Sequence, residues 1–309
     1  MSYNFSGIEL PGFGGYSLTS QLLYNVKFFI DWGLANAGAF EIIKRNQNTY
    51  FNTDESILRP ETDLRFNSCQ IWQGAGPEWI WEGGISVSSG TTPFRVSGVY
   101  INDIFHPNTE EGVFAHHVDY QNGRIIFDEP QSTGNTIQAE YVRRSVRVNF
   151  ADSEEFRDIM TDAIEEYQTD TVPSGTSTRE HQYWLPSIFI EIADGKQRGL
   201  QLGGGQIKNR IITLYIFADR PNERDLLRDF LDFQSRKTFV MADLNNITFP
   251  LDNFGDVVSG IVNWPDIASQ HPWRKLRMID GRSENINSIN TNIFRARVRW
   301  ECEVEIGSI

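Results

Sequence analysis

The chain has 309 residues, 39% of them apolar and 13% aromatic, which is enough for ordered cores and two modest domains. A net charge of −13 and a pI near 4.9 exclude a protein whose main task is gripping phosphate backbone or an anionic membrane, because that affinity comes from Lys and Arg displacing counterions. No basic-then-apolar leader opens the sequence and no apolar run approaches the roughly 20 residues that span a bilayer, so a soluble protein made in a cytoplasm is expected.

Residues 1–16 are Gly-rich, with Phe5, Ile8, Leu10 and Phe13 interspersed. Such a segment does not fold alone, and its apolar residues need a surface on this chain or a neighbour; the plain alternative is a frayed tail. Ser17 to Ala37 reads as a helix capped by Ser17, with Leu22, Leu23, Val26, Phe29, Ile30 and Leu34 as its buried stripe. Gly33 and Gly38 weaken its C-terminal end.

From 57 to 150 short strands alternate with frequent turns, which reads as a mostly β domain. Trp72, Trp79 and Trp81 cluster there; in Trp79-Ile80-Trp81-Glu82 strand periodicity puts both indoles on one face and Ile80 opposite. Clustered Trp suggests either a carbohydrate platform or, more simply, core packing or a subunit contact. Val99 to His106 predicts a tight hairpin turning at Asn102-Asp103, and Val118 to Phe127 one turning at Asn122-Gly123 in type I′ geometry. Ile137, Ala139 and Tyr141 alternate with polar residues, and Val146, Val148 and Phe150 continue that strand out of the domain. Cys69 lies in this region and Cys302 in the last; both read as reduced thiols.

Ala151 to Tyr167 is an acidic helix capped by Asp152 or Ser153, and 168–180 is a polar loop. Residues 184–243 then give strand, long hairpin, strand, helix, strand. Ile211 to Phe217 reads as a central strand. Asp219 is the expected N-cap of the helix, Pro221 sits in its first turn, and Leu226, Leu227, Phe230, Leu231 and Phe233 are its apolar stripe. Residues 245–292, with Trp264 and Trp273, read as long and irregular, of the kind that serves as partner-binding surface. Phe294 to Ile306 alternates apolar and charged residues, a half-buried strand with one solvent face. The expected fold class is α+β: an antiparallel or mixed sheet with packed helices at 151–309, a mostly β domain at 57–150, and an N-terminal arm and helix at 1–56.

The chemistry-bearing residues point away from catalysis. His116 and His117 are adjacent in a predicted strand and face opposite ways; no HExxH or paired CxxC motif exists, and no GxSxG elbow. Gly203-Gly204-Gly205 is followed by no Gly-Lys-Ser/Thr and by a strand, so a hairpin tip fits better than a phosphate loop. Asp219 and Asp243 follow strands but have no nucleophile or cofactor cradle beside them. No enzyme, cofactor or metal is expected.

Self-assembly fits better. Large apolar residues are scattered through loops, and the arm, the 168–180 loop and the 195–210 hairpin all reach outward. Residues 152–170 are acidic, whereas Arg274, Lys275, Arg277, Arg282, Arg295, Arg297 and Arg299 make the C-terminal part basic, so one patch would suit a neighbour's other patch. Subunit-interface candidates are Phe5, Phe13, Trp72, Trp79, Trp81, Leu202, Gly203, Gly204, Gly205, Trp264, Trp273, Arg295, Arg297 and Arg299.

Three blocks resemble virion structural proteins of tailed bacteriophages: Gln21 to Phe40; IWQGAGPEWIWEGGI with SGVYINDIF and HVDYQNGRIIFDEP; and YWLPSIFIEI, LQLGGG and IITLYIFADRPNERDLLRDFLDF. The third is similar in layout to the small α/β fold of neck, tail-terminator and tail-completion proteins. The resemblance implies a homo-oligomeric ring, six- or twelvefold, between the head connector and the tail tube or sheath, assembled in the host cytoplasm. DNA would only pass through its lumen. The region 57–150 is an addition to that pattern, an outward decoration or an added contact with head or sheath. The station stays open among neck, terminator, collar and baseplate. The alternative is a receptor- or glycan-binding virion module using Trp72, Trp79 and Trp81.

Overall fold

A computed structural model describes residues 16–46, 54–87, 90–160, 184–201, 204–286 and 293–306, with backbone alone for 194, 196–201, 204–206 and 306. In chain order the elements are α1 (Leu18–Asn36), β1 (Phe40–Ile43), β2 (Arg59–Glu61), β3 (Ile71–Gln73), β4 (Gly98–Ile101), β5 (Ile104–Pro107), β6 (His116–Asp119), β7 (Arg124–Phe127), β8 (Ile137–Ala139), β9 (Tyr141–Arg144) and β10 (Arg147–Phe150). There follow α2 (Glu154–Met160), β11 (Ser187–Gln201), β12 (Gly204–Ala218), α3 (Pro221–Asp232), β13 (Thr238–Ala242), α4 (Trp264–Gln270), β14 (Pro272–Ile286) and β15 (Phe294–Ile306). The chain is therefore mixed α+β, as its periodicities predict. By Cα proximity Met1–Ile30, Val146–Ile247 and Ala268–Ile309 form one unit, and Asp31–Ser145 and Thr248–Ile267 another.

The first unit is built on a six-stranded sheet ordered β10-β11-β12-β15-β14-β13, parallel between β10 and β11 and antiparallel elsewhere. β15 keeps its alternation in three dimensions: Ala296, Val298, Trp300, Cys302 and Val304 are buried, while Arg299, Glu301 and Glu305 are exposed. The rows Ile188–Ile216–Ala296 and Ile190–Leu214–Val298 run across the buried face. Leu227 and Leu231 of α3 pack on that face, where the Trp300 indole N–H donates to Leu231 O at 3.2 Å. On the opposite face α2 covers one end, with Phe156 against Phe189 and Tyr215 and Ile159 in the same cluster. Ser153 caps α2 by accepting the Phe156 N–H.

The N-terminal part of α1 ties off both formal edges of this sheet. Asn25 is fully buried; its amide accepts from Ala242 N at 2.7 Å and donates to Ala242 O at 3.1 Å, as a neighbouring strand would. Gln21 Oε1 accepts from Leu244 N, Lys27 Nζ donates to Val148 O, and Phe29 stacks on Phe239 at 4.3 Å. The expected stripe is only part of the buried surface: Leu22, Val26 and Ile30 are inside, Leu23 and Phe29 are half-buried, and Gln21 and Asn25 are buried as well.

The second unit holds sheets ordered β2-β3-β7-β6 and β5-β4-β8, and the pair β1-β9. The Asn102-Asp103 hairpin forms as expected: Ile101 pairs with Ile104, and both turn residues are left-handed, φ 50° and 67°. The Asn122-Gly123 turn differs. Asp119 pairs with Arg124, so Tyr120–Gly123 is a four-residue loop in which only Gly123 has positive φ. Asp119 causes the difference: its carboxylate accepts the Asn122 N–H and pairs with Arg124 at 2.8 Å. A Cβ on Gly123 would lie 2.2 Å from Gly76 O, so glycine is required there by space as well as by φ.

Four further expectations are corrected. The 137–150 stretch is three strands, interrupted at Glu140 and Ser145–Val146, because β8 pairs with β4, β9 with β1 and β10 with β11. The 245–292 region is not irregular throughout; it contains α4 and the 15-residue β14. The N-cap of α3 is Arg220 without a side-chain hydrogen bond, since the Asp219 carboxyl engages Glu223 instead. Leu226 and Phe233 are outside the buried stripe of α3, and Phe230 is only half-buried.

Candidate functional site

In the first unit the solvent face of β12-β15-β14 carries ordered rows of polar side chains. They run Asn209–Glu303–Arg277, Thr213–Arg299–Arg282 and Tyr215–Arg297–Glu284. Arg297 Nε donates to Glu284 Oε1 at 2.8 Å, and the Tyr215 hydroxyl donates to Glu191 Oε2 at 2.7 Å. Burial and that bond to Glu191 raise the Tyr215 pKa. Arg299 and Arg282 face each other across the strands and line a shallow cavity of about 100 Å³ with Ile211, Asp280 and Glu301. The basic residues between 274 and 299 are thus interleaved with Asp280, Glu284, Glu301 and Glu303 and form no separate basic patch. Of the acidic stretch 152–170 expected to meet them in a neighbour, 161–170 lies outside the described residues.

Two stretches of backbone in the same sheet are open among the described residues. β13 pairs with β14 only as far as Thr238–Arg277, with one further bond from Met278 N to Lys237 O. Beyond it Ile279–Ile286 has β15 on one side alone. Likewise β10 reaches only Phe150–Ile190, and β11 continues to Gln201 with β12 as its one partner strand. These segments lie on opposite sides of the sheet, and the alternation β11, β12, β15, β14 makes them antiparallel to each other. Open N–H and C=O groups on such edges invite strand addition.

α3 supplies an apolar surface. Leu226, Phe230 and Phe233 recur at i, i+4 and i+7, and Leu226 and Phe233 are 70% and 78% exposed in the single chain. Arg228 pairs with Asp225 and Asp229 beside the stripe. At its N-terminal end burial, and a hydrogen bond that the protonated Glu223 carboxyl donates to Asp219, push the Glu223 carboxyl up to about 6.

The structure separates the sequence-derived candidates. Trp72, Trp79 and Trp81 are buried, as is Trp264. Trp79-Ile80-Trp81 is no strand: Trp79 makes one isolated bridge to Arg143, and Ile80 is buried too. Trp79 stacks on Tyr141 at 4.0 Å and donates to Gly76 O; Trp72 donates to Cys69 O. A sugar platform needs exposed indole faces, which these three do not provide. Trp273 is half-buried at the start of β14, with the Arg274 guanidinium 5.2 Å from its ring. Arg295 is buried beside Met160 Sδ, Arg297 is paired, and Arg299 is exposed. Gly204 and Gly205 open β12, while Phe5, Phe13, Leu202, Gly203 and all of 161–183, the 168–180 loop included, lie outside the described residues.

His116 is buried between Phe114 O and Asn108, and burial lowers its pKa; His117 stacks on Phe254. Among the described residues no three His, Cys, Asp or Glu side chains are grouped to hold a metal ion, and no helix is long and apolar enough to cross a membrane. Comparison with protein families, with curated proteins and with solved structures returns no match.

Proposed function

We propose that the chain is a non-enzymatic structural subunit that assembles with copies of itself into a closed ring, acting in a tailed-phage virion as a neck or tail-terminator component. The observation that carries the self-assembly is a pair of antiparallel edges on opposite sides of one sheet, β14 at Ile279–Ile286 and β11 beyond Ile190, each with one partner strand among the described residues. Joining one copy's β14 edge to the next copy's β11 edge would continue the sheet's own alternation. The contact is heterologous, so it repeats head to tail and closes when the rotation per subunit divides a full turn. The place in the virion rests on the resemblance of the three sequence blocks, with a head connector on one face and tail tube or sheath on the other. A glycan-binding role is disfavoured by the burial of Trp72, Trp79 and Trp81.

Native mass spectrometry of the purified chain, with negative-stain images, tests this. Rings of six or twelve copies are expected. A strict monomer, both at high concentration and in the presence of a purified connector or tail tube, overturns the reading.

A further inference from the structure

Leu226, Phe230 and Phe233 of α3 require an explanation that the sheet edges do not supply. Leu227 and Leu231 already seat the helix on Trp300 and its neighbours, and Leu226 and Phe233 lie outside that contact. An apolar row this exposed on a charged helix marks a contact. Among the described residues nothing covers it.

We infer that the stripe receives the 1–15 segment of a second copy, through Phe5, Ile8, Leu10 and Phe13. Three observations support this occupant. The segment carries four large apolar residues among glycines, with one acid (Glu9) and no Lys or Arg, a composition that lies along a surface and does not make a core. The chain that follows it is anchored: Tyr16 N donates to Asn245 Oδ1 at 2.6 Å, and Asn245 Nδ2 donates back to Tyr16 O at 3.1 Å. From that anchor 15 residues extend up to about 50 Å, long enough to pass to a neighbouring subunit. Ordering such an arm on a neighbour adds affinity between subunits already joined, because the second contact is intramolecular. The inference rests on the self-assembly part of the proposed function and not on the place in the virion.

Cysteine cross-linking in the full chain tests it, in a Cys69→Ser background because Cys69 is partly exposed. Leu10→Cys or Phe5→Cys is placed in one chain and Leu226→Cys or Phe233→Cys in another, and the two are mixed before assembly and oxidised. Mixed disulfide dimers on a denaturing gel are expected for at least one of the four pairings, and none with Lys44→Cys as the arm's replacement. Native mass spectrometry of the same samples separates the failures. Rings without any mixed disulfide overturn the arm inference and leave the ring standing. Monomers alone overturn both. When both cysteines are placed in one chain, a bond that forms only within that chain shows that the occupant is the chain's own arm and overturns the second copy. Phe233→Ser gives an independent reading: the melting temperature of the subunit stays within about 2 °C, while the protein concentration needed for half-assembly rises at least tenfold.

Discussion

Arg144–Glu82, inside the second unit, is a buried ion pair. Arg144 Nη2 donates to both Glu82 carboxylate oxygens, at 2.6 and 2.7 Å, and Nη1 donates to Asp31 O at 3.0 Å. The side chains are 4% and 0% exposed. Burial alone would lower the arginine's pKa, but Glu82, Asp31 and Glu78 outweigh it and the net shift is upward, so the guanidinium stays charged. Removing one partner leaves the other charge buried and uncompensated, which costs about 3–5 kcal/mol. Arg144→Met and Glu82→Leu should therefore each lose that order of stability, the former more because Asp31 and Glu78 also lose a neighbouring cation. The double variant Glu82→Leu with Arg144→Met removes both charges at similar volume and should cost clearly less than the sum, leaving a coupling of at least about 2 kcal/mol. With a urea m-value of roughly 1–3 kcal/mol/M, each single change moves the midpoint of unfolding down by more than about 1 M. Trp79 and Trp81, buried in the same unit, report the transition by fluorescence. Single variants that lose under about 1 kcal/mol, or a strictly additive double, would refute the reasoning.

Gly123→Ala should destabilise by about 2 kcal/mol or more, since it adds a Cβ 2.2 Å from Gly76 O at φ 67°; a melting curve equal to that of the parent chain would contradict it. Asn25→Ala strands the Ala242 N–H and C=O at a buried edge and should cost about 2–3 kcal/mol, read as faster amide exchange at Ala242 and Leu244. Glu223 gives a pH dependence with a definite sign. Its folded pKa is about 6 against an ordinary 4.5, so between those values the folded chain holds more protons than the unfolded chain. Stability from this group is present below 4.5 and lost as pH rises through 6, by about 1 kcal/mol at most after solvent screening. Glu223→Gln should remove that slope from a plot of melting temperature against pH, and an unchanged slope would assign it elsewhere.

What the sequence shows and what it hides follow from how local each signal is. The Asn102-Asp103 turn needs only two residues with positive φ, and β15 only its own alternation; both are read directly. β14 is hidden because its apolar alternation stops where the register shifts between Met278 and Asp280; from there to Asn285 the side chains are mostly polar, and the strand is held by β15 alone. Asn25 and Gln21 look like surface residues of a helix, and only the distant edge at Ala242 and Leu244 makes them interior ones. Asp119 defeats the two-residue turn for the same kind of reason, by offering its carboxylate to Asn122 and Arg124.

The stripe on α3 is a different failure, and it bears on function. Leu226 and Phe233 fit a core pattern as well as Leu227 and Leu231 do, because sequence periodicity reports that a residue is to be covered and not by what. Among the described residues the cover exists for the second pair and is missing for the first. The sheet gives the same pattern: Ala242 and Val148 have α1 side chains on their outward groups, whereas Ile279–Ile286 and the outer part of β11 have no second strand among the described residues. In a finished monomer the long edges and the apolar helix face would be the first places to be protected, since both invite aggregation. Here α1 protects the short edges, and among the described residues the long ones stay open in the same unit as the uncovered stripe. Selective protection of this kind is what a subunit needs if its open surfaces are completed by the next copy.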